Sequence, residues 1–166
     1  EESMRITHMY QDILKAINEN NLRANISIKP THIGYDVSNS LFEDNLSTLV
    51  QTASQYSNFI RIDMESAKVT DGTLAAYKNI LKTHTNIGIA LQSYLFRTLQ
   101  DLKALVNENL NFRLCKGIYN ESEKIAFQNK DEINKNYLKI LEYALSNKIY
   151  VGIATHDEHL LSESYK

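Results

Sequence analysis

The sequence has little with which to break or cross-link a chain: one proline, five glycines and one cysteine in 166 residues. Such scarcity leaves no Gly/Ser-rich or Pro-rich linker, so residues 1–166 are expected to form a single domain without an internal boundary. The lone Cys115 has no intrachain partner for a disulfide, which fits a reducing cytoplasm. No run approaches the roughly 20 apolar residues of a membrane span, and the opening EESMRITHMY is charged, unlike a signal sequence. Peripheral contact with a membrane stays open. An excess of cationic charge is also lacking, with 18 Lys and Arg against 20 Asp and Glu and no basic block. Nucleic acid is therefore excluded as a partner. What is present, 43% apolar and 23% charged residues, suits a soluble globular protein with a core.

Short β-type runs alternate with longer stretches of helical period, five times over. The runs are Ile26 to Lys29, Phe59 to Met64, Ile87 to Leu91, Phe112 to Lys116 and Tyr150 to Thr155, rich in Ile, Val, Leu and Phe. Their starts lie about 25 to 40 residues apart, the size of one βα unit. Apolar residues between them return every three or four positions: Met9, Ile13, Leu14 and Ile17; Leu46, Leu49, Val50 and Ala53; Leu74, Tyr77 and Leu81, with Thr70 or Asp71 as cap. Leu99, Leu102, Leu105 and Val106 follow, then Ile133, Tyr137, Ile140, Leu141 and Leu145, with Ser146 and Asn147 as a stop. Such alternation predicts an α/β fold with a parallel sheet, because each return to a parallel neighbour needs a crossover. A Rossmann sheet would carry a Gly-rich turn after its first strand, and PTHIGYD has none. A partial (β/α)8, TIM-like barrel with about five of the eight parallel strands is the expected architecture.

Each run ends in polar residues that a strand buried on both faces does not need. They are Lys29, Asp63 with Glu65, Gln92, Arg113 with Lys116, and Thr155 with His156 and Asp157. Buried charge is costly unless paired or used, so five such endings in register predict a polar pocket at the carboxyl rim. Its mixed charge, Lys29, Arg113 and Lys116 facing Asp63 and Glu65, suits a ligand bearing carboxylate or phosphate. The long connection from Ile118 to about Glu132 is either a cover over that ligand or a solvated loop. No metal is expected. His156 and His159 lack an HExxH frame, and His159 falls on the first turn of the next helix. Cys115 reads as a packed core thiol rather than a nucleophile.

With these residues in view the chain resembles the proline dehydrogenase family. SIKPTHIG, IRIDMES, IALQSYL, FRLCKGIY and IATHDEH match in order along nearly the whole sequence. The resemblance implies a β/α barrel that holds FAD noncovalently, oxidises L-proline to Δ1-pyrroline-5-carboxylate as the first step of proline degradation to glutamate, and passes electrons to a membrane quinone. It places such a protein in the cytoplasm, with association at the inner face of the membrane as a further implication. Residue by residue, Lys29 resembles the lysine that holds the substrate carboxylate, and Asp63 the active-site aspartate. Gln92 and Arg113 resemble flavin-ring contacts, with Arg113 near the hydride-accepting nitrogen. Lys116 and Gly117 would lie along the cofactor, Tyr119 at the substrate pocket, and Lys130, Thr155 and His156 at the ribityl, phosphate and adenosine side.

Departures from the family pattern are modest: Cys115 for valine, Ile118 and Ser93 for alanine, and Pro30 cutting short the run that carries Lys29. The resemblance also implies a glutamate on a first strand before residue 1 and a Tyr-x-x-Arg-Arg helix after residue 166. The 166-residue chain alone is accordingly expected not to turn over proline. Two rival readings remain: a metal-dependent lyase or hydrolase using Asp63, Glu65 and His156 on the same barrel, and a noncatalytic barrel fragment.

Overall fold

The computed structural model describes residues 1–106 and 109–166. Among the described residues five strands alternate with six α-helices, in the order α1 (Glu2–Glu19), β1 (Ile26–Ile28), α2 (Asn39–Gln55), β2 (Ile60–Ile62), α3 (Ala67–Ile80), β3 (Ile87–Gln92), α4 (Thr98–Leu105), β4 (Asn111–Cys115), α5 (Lys130–Ser146), β5 (Tyr150–Ile153) and α6 (Glu158–Ser164). The strand order is β1-β2-β3-β4-β5, so each strand neighbours the next in sequence. The β1–β2, β2–β3 and β4–β5 pairs are parallel. This is the α/β alternation expected from the sequence. The chain divides into two compact units, Glu1–Ile89 and Ala90–Lys166, with the division inside β3.

In the first unit an isoleucine ladder fixes the register. Ile26, Ile60 and Ile87 lie side by side across β1, β2 and β3, and Ile28, Ile62 and Ile89 form the next row. All six are buried. β-Branched side chains suit this pleated surface, and a one-residue slip would turn every one of them to the other face. Leu46, Leu49, Val50 and Ala53 of α2 are fully buried as their spacing predicts, joined by Phe42. Ser38 caps α2 by accepting from the Leu41 amide at 3.1 Å.

Two helical expectations need correction. On α1, Leu14 and Ile17 are buried but Met9 and Ile13 are exposed. The inner face runs instead through Ser3 and Thr7, because the Thr7 hydroxyl is satisfied by the Ser3 carbonyl at 2.8 Å and can enter the core. α3 begins at Ala67 with Ser66 as its cap, so Thr70 and Asp71 are helical residues, not caps. Strand boundaries also contract: β1 stops at Ile28, two residues before Pro30 opens a short 3-10 turn over Thr31–Ile33. Pro30 has no amide for the ladder, and the turn takes the chain out of the sheet.

In the second unit Phe112 and Leu114 of β4 are fully buried, as are Tyr137, Ile140 and Ala144 of α5. Val106 and Leu145, expected on the apolar stripes, fall outside them and are exposed. Asn129 caps α5 by accepting from the Asp131 amide, and Asp131 and Glu132 complement the positive end of the helix. Tyr137 donates to the Leu114 carbonyl at 3.0 Å, tying α5 to β4. Burial pushes the Tyr137 phenol up to about 12, so it stays protonated in the folded state well above its ordinary value of 10.0. The stability this supplies is complete below pH 10 and is lost as pH rises through about 12. Tyr137→Phe is therefore expected to cost about 1 kcal/mol at neutral pH and to flatten the alkaline limb of the stability curve, read by urea unfolding at stepped pH.

Candidate functional site

Polar groups gather at the carboxyl ends of the strands in each unit. In the first, Lys29 follows β1 and Asp63 follows β2, and parallel pairing of these strands sets the two side by side. Their ammonium and carboxylate lie 3.7 Å apart. Ser27, on the outward side of the β1 pleat, donates to Asp63 Oδ1 at 2.7 Å. Tyr10 of α1 also belongs here: its phenol is raised by burial first and then by the Asp63 carboxylate, with Lys29 opposing. Neither Ser27 nor Tyr10 stood out in the sequence. Ser27 was legible only as the polar residue between two buried isoleucines, and nothing local marks Tyr10.

Glu65 does not join Asp63 in an open pocket. It is buried, and accepts both the Thr31 amide and the Thr31 hydroxyl at 2.9 Å each. Its role is to fasten the 3-10 turn that follows Lys29, which is why a carboxylate is tolerated inside.

In the second unit a cleft of about 740 Å³ opens beyond β4 and β5, lined by Lys116, Gly117, Lys130, Thr155 and His156 together with Cys115 and Asp157. The side chains expected at one end of a cofactor are thus brought together. Asp157 organises them. Its Oδ2 accepts from Lys116 at 2.6 Å, Lys130 at 3.4 Å and Asn134 at 3.4 Å. Its Oδ1 caps α6 through the amides of His159 and Leu160. The Lys116 ammonium, then the Leu160 amide, Lys130 and Asn134, hold the Asp157 carboxyl far below the ordinary carboxylate range. A group lowered in this way stabilises the fold above its unfolded pKa, near 4, and that contribution disappears as pH falls through the folded value. Asp157→Asn keeps the cap but removes the titration, so its stability should fall less steeply than wild type's between pH 5 and the acid range, measured by thermal unfolding.

Asn134 was missed by sequence reasoning, although a polar residue on the buried stripe between Lys130 and Tyr137 was a signal. Cys115 departs from expectation. It is the last residue of β4, half-buried at the cleft wall rather than packed in the core. Arg113 also differs from its expected strand-end position, lying in the middle of β4 opposite Gly152. Gln92 does end β3, but is 4% exposed. Neither it, Arg113 nor the half-buried Tyr119 lines the cleft.

Gly117 has a specific reason to be glycine. Its φ is +112°, and a Cβ there would sit 2.2 Å from the Tyr94 ring. The Tyr94 backbone is fixed, its amide donating to the Lys116 carbonyl at 2.8 Å and its carbonyl accepting the Phe127 amide at 2.8 Å. The second contact, with the Leu95–Ala126 bridge and the edge-to-face Phe96–Phe127 pair, pins the connection after β4 against the segment after β3. That connection is shorter than expected, since α5 already begins at Lys130. Among the described residues no group of three or more His, Cys, Asp or Glu is placed to hold a metal ion, and no helix is long and apolar enough to cross a membrane.

The strand–helix alternation with polar strand ends defines a protein of the (β/α)8 barrel class, with five of its strands among the described residues. Solved structures agree. Proline utilization A from Bdellovibrio bacteriovorus, inactivated by N-propargylglycine, superposes with a TM-score of 0.87 at 21% identity, over 99% of this chain and 22% of that one. The corresponding protein from Corynebacterium freiburgense gives 0.83 at 24% identity, over 99% and 20%. Sequence narrows the class to a family. A family model described as proline dehydrogenase matches residues 1–166, and the chain belongs to that family. Proline dehydrogenase 2 of Bacillus subtilis (strain 168) is 36% identical over 148 residues, covering 89% of this chain and 49% of the relative. Proline dehydrogenase of Deinococcus radiodurans is 28% identical over 167 residues, covering 96% and 54%. The chain therefore spans about half the length of these curated relatives.

Proposed function

We propose that the protein oxidises L-proline to Δ1-pyrroline-5-carboxylate, using FAD as bound cofactor and a quinone as electron acceptor, in the first step of proline degradation to glutamate. Residues 1–166 form, in this reading, the central part of a single catalytic barrel domain. The protein works in the cytoplasm and meets its quinone by peripheral contact with the inner face of the membrane. The observation that carries the proposal is the cleft of the second unit, which gathers Lys116, Gly117, Lys130, Thr155 and His156 in a chain of this family.

The donor set fits the diphosphate end of such a cofactor. Two ammonium groups and a hydroxyl line the cleft, and Gly117 contributes only backbone to its wall. Lys116 and Gly117 would lie along the cofactor, with Lys130, Thr155 and His156 toward its ribityl, phosphate and adenosine groups. When bound, FAD supplies the acceptor for the hydride equivalent that leaves the proline carbon beside the ring nitrogen. Lys29 binds the substrate carboxylate, and Asp63, 3.7 Å away, limits the freedom of its ammonium. Arg113 carries a permanent positive charge toward the electron-rich ring system, and Gln92 adds a polar contact to it. Tyr119 closes the substrate pocket.

The test is proline-dependent reduction of an artificial electron acceptor by the full-length protein. L-Proline should support turnover and Lys29→Met should raise KM about tenfold or more, the loss of one charged contact to a carboxylate. A folded, flavin-loaded protein that ignores proline would contradict the assignment.

A further inference from the structure

Asp157 is not among the groups that a diphosphate would be expected to recruit, since it is itself an anion at the centre of the lysine pair. Its geometry suggests why it is there. Three of its five donors, the His159 and Leu160 amides and Asn134, belong to the fixed framework of α6 and α5. The carboxylate is only 10% exposed, so it has little room to move. Its two lysine partners are unequal. Lys116 is 26% exposed and bonded at 2.6 Å, whereas Lys130 is 74% exposed and reaches in from 3.4 Å. An immobile carboxylate with one tight and one loose ammonium holds the first in place and can release the second.

We propose that Asp157 is a positioning residue and built-in counter-anion of this cleft: it fixes Lys116, and holds Lys130 until an anionic diphosphate group enters and takes Lys130 over. In the empty cleft it neutralises part of the repulsion between the two ammonium groups. On ligand entry it remains with Lys116, and the cleft presents one mobile cation rather than two fixed ones. The carboxylate thereby lowers affinity for the diphosphate while setting where that group comes to rest. This rests on the proposed reading of the cleft as the diphosphate end of an FAD site, but concerns a residue which that reading does not use.

ADP carries a diphosphate and an adenosine but no flavin, and is the probe. Its binding to flavin-free full-length protein is measured by calorimetry at low and at physiological salt. Asp157→Asn keeps the α6 cap and removes the charge; it should bind ADP about five- to tenfold more tightly at low salt, with a steeper salt dependence. Lys130→Met, at an exposed position that cannot disturb the core, should bind about tenfold more weakly. In the double variant the gain from Asp157→Asn should shrink to about twofold or less, because the cation it releases is gone. Wild-type or weaker affinity in a well-folded Asp157→Asn protein, unchanged affinity in Lys130→Met, or no ADP binding by any of the proteins would overturn the inference. Failure of the functional reading shows differently, as a wild-type protein that carries no flavin and does not oxidise proline.

Discussion

Gly117→Ala is expected to destabilise this chain strongly. The new Cβ would lie 2.2 Å from Cδ1, 2.4 Å from Cε1 and 2.6 Å from Cγ of Tyr94, so the clash reaches the root of the ring and not only its tip. The backbone must also keep a φ of +112°, which L side chains rarely adopt. Strain and overpacking together should cost about 2–4 kcal/mol. The ring has little room to turn away, because Tyr94 is 5% exposed. Urea unfolding measures the loss. Tyr94→Leu should cost less than Gly117→Ala and should recover part of it in the double variant, a coupling that independent sites would not show. Equal stability of wild type and Gly117→Ala would mean that Tyr94 and Gly117 do not pack as described.

Arg113→Met should produce the largest loss of activity. Arg113 projects from the middle of β4, where its backbone is fixed by pairing with Gly152 of β5. In the role proposed for it, a cation acting on charge that develops during reaction is worth about 10²–10³-fold in kcat. The change should leave the fold intact, since methionine preserves the apolar stem. Arg113→Lys should recover only part of the rate, keeping the charge but not the planar fork. Flavin content must be measured in each variant, so that lost turnover is separated from lost cofactor. A full-flavin Arg113→Met protein with wild-type kcat would remove Arg113 from the reaction.

The contrast between these two residues shows what a sequence conveys. Strand type, helix type and their alternation were legible because burial imposes periodicity, and the ladder Ile26, Ile60, Ile87 is the structural counterpart of three Ile-rich runs. The gathering of Lys116, Lys130, Thr155 and His156 was legible through the family resemblance, and the cleft is consistent with it. Arg113 could be recognised but not positioned, because a run of five residues does not reveal which of them ends the strand. Glu65 shows the limit most clearly. Beside Asp63 in the sequence it reads as a second pocket acid, yet the Thr31 amide and hydroxyl, 34 residues away, claim both of its oxygens. The partners that convert a carboxylate from reactive to structural lie far along the chain, and local pattern carries no trace of them. Asp157 is the converse: in the sequence it reads as one more polar strand end, and both its cap on α6 and its contacts with Lys116, Lys130 and Asn134 needed three dimensions to appear.

Anaerobic addition of L-proline to the purified full-length protein, followed in the visible spectrum, decides the matter most directly. A yellow protein whose flavin absorption bleaches on mixing with L-proline, and not with D-proline, is the expected result. A colourless protein, or a flavin that L-proline leaves unchanged, would contradict it.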